Sequence, residues 1–336
     1  MTRAISLLLA ALCVTTPVRA GDAGENLAGR TTYAAVFLVR GSVAGANRGE
    51  YGIFLRQSAT GWDRLSRSNV ISFGVERFKG TSGERLYLAA GNGLHRSTDD
   101  GTSWRILTSW ETMEIMHALA DPRDSARLYV GTPWGIYRST DDGERWVQAM
   151  NGMRRWFISD MAMDPADSHV LFASSEDDLY RSTDGGDYWS PLGVGASPIN
   201  VFALRPGTPS WIIAGIEDGG VRLTDDGGAH WVSTTGLEDA TVYTLAFSAD
   251  GHRAYAAGWQ TGLWVSKDAG GSWEQLWESP GIEAIFCITV DPLEAQHLLV
   301  GTDGQGVFES TDGGRTWNAV GLDGGKIKDI KIYPVD

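Results

Sequence analysis

Short apolar runs separated by small and turn-forming residues recur along the whole chain. One set reads LYLAAG, LYVGT, VLFASS, WIIAGI, AYAAGW and HLLVGT. A second set, GLHRS, GIYRS, DLYRS, GVRLT, GLWVS and GVFES, follows the first after a short loop. Neither set shows the 3.6-residue spacing of an amphipathic helix, and both are bounded by Gly, Asp and Ser, so each run predicts a strand. A third, alternating set lies upstream and often ends in Asp-Pro: MHALADP, SDMAMDP, VFALRP, YTLAFS and FCITVDP. A fourth short run, such as WRIL or WVQAM, comes last. Four short strands per unit, all linked by tight turns, predict an antiparallel sheet, here lettered A to D from the Asp-Pro strand outward.

Between strands C and D stands one motif, Ser/Thr-x-Asp-x-Gly-x-x-Trp. It occupies residues 97–104, 139–146, 182–189, 224–231, 266–273 and 310–317. Its tryptophans are separated by 42, 43, 42, 42 and 44 residues. A period near 42 residues with four strands is the signature of a propeller blade. One further step of 42 back from Trp104 lands on Trp62, in GIFLRQSATGW, a degenerate copy without the Asp. The segment TYAAVFLVRG near the start is a B-type strand with no A strand before it, and KIKDIKIYPVD at the end is an A-type strand with nothing after it. The last strand therefore completes the first blade. The expectation is one all-β domain, residues 21–336, forming a seven-bladed β-propeller closed by its C-terminal strand.

Within the motif, Asp99, Asp141, Asp184, Asp226, Asp268 and Asp312 are placed to accept backbone N–H bonds from the following turn. Gly101 and its equivalents supply a positive φ, and the tryptophan covers the turn. The acids are read as structural, since six catalytic copies around one ring make no sense. The spacing also lacks the dense oxygen ligands of a calcium loop, so no metal and no cofactor are assigned.

Composition changes this picture only at the N-terminus and in charge. Residues 1–20, MTRAISLLLAALCVTTPVRA, join a basic start to a short apolar run and a Val-Arg-Ala end. This is the pattern of a signal peptide cleaved after Ala20, with export to the periplasm or medium and no membrane span remaining. The full chain carries 28 Lys and Arg against 42 Asp and Glu. Loss of Arg3 and Arg19 leaves a formal charge of −16, which disfavours nucleic acid and anionic lipid as partners. Of two cysteines only Cys287 would survive cleavage, so no internal disulfide forms and Cys287 is read as a buried thiol.

The motif resembles the Asp-box, or BNR, repeat of bacterial sialidases, sortilin-type receptors, xyloglucan-specific hydrolases and the propeller factor for photosystem II assembly. The resemblance implies a propeller whose boxes lie on the blade periphery, away from the working face. It also sets two enzyme tests. A sialidase would bring an Arg-Ile-Pro motif and an arginine triad; no Arg-Ile-Pro occurs, and Arg40 and Arg56 stand in other contexts. A glycoside hydrolase needs two facing carboxylates. Acids are plentiful in the D-to-A and B-to-C loops, among them Glu111, Glu176, Asp177, Asp178, Asp218 and Glu238.

Strand A can be read in register toward the central channel. Counting five back from the closing Pro gives His117, Asp160, Val201, Cys287 and Asp329, with Ser72 and Thr244 in the copies lacking Pro. His117, Asp160 and Asp329 are the candidate catalytic residues. The candidate binding residues are the loop aromatics Trp110, Trp134, Trp156 and Trp259, with Arg154 and Arg155 forming a basic run on an acidic chain. The sequence thus reads as an exported, monomeric, non-catalytic binding or assembly module for an envelope protein or glycan. A carbohydrate-active hydrolase using acids of the same face is the alternative.

Overall fold

The computed structural model describes residues 30–39, 51–65, 70–80, 83–195 and 198–335; the expected cleavage point at Ala20, and Arg40, lie outside them. The described residues form seven four-stranded antiparallel sheets and no helix. The innermost strands of blades 2 to 7 are Ser72–Gly80, His117–Ala120, Ile158–Met163, Ile199–Arg205, Val242–Phe247 and Ile285–Val290. In each of these blades the next three strands follow outward in chain order. Blade 1 is composite. Its inner strand is the C-terminal Gly325–Pro334, paired antiparallel with Arg30–Val39, which is followed outward by Gly52–Arg56 and Trp62–Arg64. The chain is therefore a seven-bladed β-propeller whose C-terminal strand closes the ring.

The alternating pattern works because a blade is buried on both faces. Strand B of blades 3, 6 and 7 is buried throughout, as in Leu128–Thr132, which explains its continuous apolar reading. The core is divided into seven apolar layers, one between each pair of neighbouring blades. Close approach needs small residues in strand B. A Cβ on Gly215 would lie 2.7 Å from Val242 of the next blade, and one on Gly301 would lie 2.5 Å from the Cys287 sulfur.

The six boxes share one geometry. Ser97 Oγ donates to Asp99 Oδ1 at 2.8 Å and accepts the Gly101 N–H at 2.8 Å, while Asp99 Oδ1 accepts the Ser103 N–H at 2.8 Å. The same three contacts recur around Asp141, Asp184, Asp226, Asp268 and Asp312. Gly101 has φ +84°, and the residue before it, Asp100, is also left-handed at +52°. That second left-handed position suits the Asp or Gly found in five of the six copies; Ala269 holds it at +57° without such a preference. The tryptophans do more than cover their own turn. Trp146, Trp189 and Trp231 donate their indole N–H to Leu107, Ala149 and Leu192 carbonyls of the preceding blade. Trp62 does the same to Val320 of blade 7, so the degenerate copy keeps its function between blades.

A bulge near the start of most inner strands corrects one register assignment. Asp160 pairs with Ser174, Val201 with Gly215, Thr244 with Ala257 and Cys287 with Gly301; the equivalent in blade 2 is Gly74, opposite Ala89, and not Ser72. The blade-2 strand ends without a Pro, so counting from the sequence had no anchor there.

Candidate binding face and axial channel

Antiparallel order sorts the connections onto two faces. The A-to-B and C-to-D turns, with the boxes, occupy one; the B-to-C and D-to-A loops occupy the other. On this loop face Trp110, Trp134 and Trp156 sit in three successive connections of blades 2 to 4. Their exposures are 80%, 47% and 60%, values that mark side chains with nothing of their own chain to cover. Trp259, 39% exposed, belongs to blade 6 and stands apart from that arc.

The backbone beneath the arc is held firmly. The reversal at Trp110 is closed by the Thr112 N–H to the Ser109 carbonyl. Trp134 donates its N–H to Thr132 Oγ1, and its carbonyl accepts from Gln148. In the Arg154–Arg155–Trp156 loop, the Arg154 N–H reaches the Tyr180 hydroxyl at 3.3 Å, and that hydroxyl donates to Asp177 at 2.8 Å. All three side chains of the run are exposed. The loop is thus anchored at its base and free at its tip.

The acids gathered above as hydrolase candidates are largely committed to their own loops. Asp178 accepts the N–H groups of Leu179, Gly193 and Val194. Asp218 accepts from Thr241 and Glu238 from Gly236; Asp303, a further acid in a B-to-C loop of this face, pairs with Lys326 at 2.5 Å. Arg56, weighed above as a sialidase residue, lies on the box face and pairs with Glu309.

The channel along the ring axis is a cavity of about 670 Å³, lined by all seven inner strands. His117, Asp160 and Asp329 all line it, as the register predicted. His117 Nδ1 lies 3.5 Å from Asp160 Oδ1. The two acids do not face one another as an isolated pair. Asp160 Oδ2 accepts the Phe202 N–H of the next blade, and Asp329 Oδ2 accepts the Val75 N–H of its own next blade. Thr244 makes the same bond to Ile288. The inner strand is the edge of its blade, so that amide has no ladder partner, and the side chain of the preceding blade takes it.

Burial pushes both carboxyls up, opposed by His117 and two amide bonds at Asp160, and by Lys331, the Val75 amide and His117 at Asp329. Lys331 is held well above its ordinary range by Asp329, 4.0 Å away, and Glu76, at 2.9 Å. Cys287 fills the equivalent place in blade 7. Burial raises its thiol, so it packs as a small apolar group. Lys328 and Lys331 of the closing strand and Glu76 of the blade-2 inner strand were missed in the sequence because polar residues in an edge strand read as solvent-facing. A lysine where the other blades carry Phe73, Met116, Ser159, Asn200, Tyr243 and Phe286 was the available signal. Among the described residues no cluster of His, Cys, Asp and Glu has the arrangement of a metal site.

Solved structures share this fold. The GH74 xyloglucanase of Xanthomonas campestris aligns with a TM-score of 0.65 at 16% identity, over 87% of this chain and 53% of that one. A GH74 enzyme of Niastella koreensis aligns at 0.61 and 20% identity, over 76% of this chain and 45% of that one. The chain thus spans about half the length of these two enzymes. YCF48 bound to a D1 peptide aligns at 0.57 and 16% identity, over 77% of this chain and 86% of that one. No family model and no curated protein matches the chain. At these identities the likeness establishes the β-propeller architecture.

Proposed function

We propose that this propeller is an exported, monomeric binding or assembly module that recognises a protein partner through its loop face. The carrying observation is the arc of exposed indoles, Trp110, Trp134 and Trp156, beside exposed Arg154 and Arg155. Flat amphipathic rings and guanidinium groups on a rigid base are the chemistry of interface anchors. Two arginines on a chain of formal charge −14 favour an acidic segment of the partner. A propeller of the same fold bound to a peptide supports a protein rather than a soluble metabolite.

The test is capture of partners from the cell envelope by the mature protein and by a Trp110→Ala, Arg154→Ala, Trp156→Ala variant, with a glycan array on both. Loss of one stoichiometric protein from the variant, with unchanged melting, supports the reading. A glycan lost in its place moves the module to carbohydrate recognition. A hydrolase at the channel acids is the second reading, favoured by the raised Asp160 and Asp329. Turnover of a bound glycan, abolished by Asp160→Asn and Asp329→Asn in folded protein, would replace the binding reading with it.

A further inference from the structure

Three lysines of the closing strand Gly325–Pro334 differ in their partners. Lys326 holds Asp303 at 2.5 Å, and Lys331 holds Glu76 at 2.9 Å. Lys328 has no carboxylate within 4 Å among the described residues. Its Nζ lies 3.5 Å from the centroid of the Phe286 ring and 5.8 Å from that of Phe37. Phe37 packs on Phe73, and Phe286 on Tyr243, with centroids 5.5 and 6.0 Å apart. Phe73, Tyr243, Phe286 and Lys328 line the axial cavity at the same level of their inner strands, one residue before the Asp160 position. Inner strands start at the loop face, so this ring of side chains is the cavity's mouth on that face.

An ammonium in such a place is short of counter-charge. Ring faces attract a cation by less than the cost of removing it from water. Burial, and then the Lys326 charge, draw Lys328 down to about 8, while Asp303, the acid that opposes this shift, is taken by Lys326. Beyond the amine lies a cavity of about 670 Å³, a size suited to a small organic ligand.

We propose that the loop-face mouth of the axial cavity binds a carboxylate carried on a flat apolar body, with Lys328 as its counter-ion and Phe73, Tyr243 and Phe286 against the body. The site uses none of the arc residues, so it stands or falls apart from the protein-partner reading. The carboxylate can belong to a free aromatic acid or to the terminal residue of a peptide, and the probes separate the two.

Binding of benzoate, of benzamide, and of N-acetylphenylalanine and its amide is measured by ligand-observed NMR and calorimetry. Wild type is expected to bind at least one of the acids with a millimolar Kd and to bind its neutral amide at least about tenfold more weakly. Preference for benzoate assigns a free acid; preference for N-acetylphenylalanine assigns a chain terminus. Lys328→Gln should weaken the acid about tenfold and Lys328→Arg by much less. A measurement on wild type alone guards against a misfolded variant. Near pH 8, acid binding should take up protons, seen as a dependence of heat on buffer ionisation, and affinity should fall as pH rises through and beyond that value. Equal binding of acid and amide, no acid binding up to about 50 mM, or a folded Lys328→Gln that binds as wild type would each overturn the proposal.

Discussion

Six outer turns of this ring are fastened by an acid, and the seventh by a base. In blades 2 to 7 the box aspartate accepts N–H groups of its own turn, as Asp99 does from Ser103 at 2.8 Å. In blade 1 the same reversal has no acid. There Arg56 donates to the Ser58 and Ala59 carbonyls at 3.2 and 2.7 Å, and Ser58 Oγ accepts the Gly61 N–H at 2.9 Å. The polarity is inverted, and the inversion has a consequence. A carboxylate is used up within its turn. A guanidinium has five donors, and Arg56 gives two more to Glu309 of blade 7 at 2.7 and 2.9 Å. Glu309 also meets His297 Nε2 at 2.7 Å; His297 Nδ1 meets Asp291 at 2.7 Å, and Asp291 pairs with Arg30 of blade 1.

The reason lies in chain connectivity. Other neighbouring blades are joined by a covalent D-to-A connection. The three N-terminal strands of blade 1 have no direct peptide link to blade 7; the closing strand that continues from blade 7 reaches them only through its hydrogen-bonded ladder. An ion network stands where the chain itself supplies no tie. Elsewhere the joints between blades carry smaller groups, such as Arg85 and Arg96 sharing the partly exposed Asp142.

The largest break in this comparison is removal of residues 326–336. The N-terminal strands then lose their ladder to the rest of the ring, together with the Asp329 bond to Val75 and the Lys331 pair with Glu76. No single cooperative melt at the wild-type temperature is expected, because cores at blades 7, 1 and 2 open together. Circular dichroism with size-exclusion chromatography checks it. A truncated chain that melts as the full one does would mean that the closing strand is not what holds the ring.

Smaller but sharper is Glu309→Ala. It strands Arg56 and His297 in a largely buried site, and the expected loss is about 3 kcal/mol. Arg56→Ala combined with it should cost less than the two single changes added, because the pair acts as one unit. The joint also sets a pH window. Burial alone would raise Glu309, but His297 and Arg56 depress it to about 2 from 4.5. Its contribution is therefore complete above about pH 4.5 and lost as pH falls toward 2. Burial alone would lower His297, but Glu309 and Asp291 raise it above 6.5. That contribution is complete below pH 6.5 and lost as pH rises through the folded value. The stability gap between wild type and Glu309→Ala should be widest between these limits, and denaturant melts across pH measure it.

The architecture was legible because its determinants are local and repeated. A Trp every 42 to 44 residues and a turn motif beside it report blade number directly. The unpaired strands at the two ends report closure. Pairings between blades are not written locally. Arg56 and Glu309 are 253 residues apart, and nothing near either one names the other. The exposed tryptophans were legible as loop residues, whereas their grouping into an arc on blades 2 to 4 follows only from ring order. Ser72 was misplaced because the blade-2 inner strand ends without the Pro that marks the register in most other blades.

The smallest expected effect tests whether the two kinds of turn are built alike. Ser97 is buried; it donates to Asp99 and accepts the Gly101 N–H at 2.8 Å. Ser97→Ala leaves a buried amide without its acceptor and removes one of the bonds that orient Asp99, for a cost of about 1–2 kcal/mol. Ser58 makes a bond of similar length to Gly61, but in the open. Water can replace the lost hydroxyl there, and the Arg56 donations to Ser58 and Ala59 carbonyls use backbone that Ser58→Ala keeps. Its cost should stay below about 0.5 kcal/mol. Denaturant midpoints of the two variants, at unchanged slope, give the comparison. Equal losses would mean that blade 1 depends on its serine as the boxes do, and that Arg56 serves the joint to blade 7 without fastening the turn.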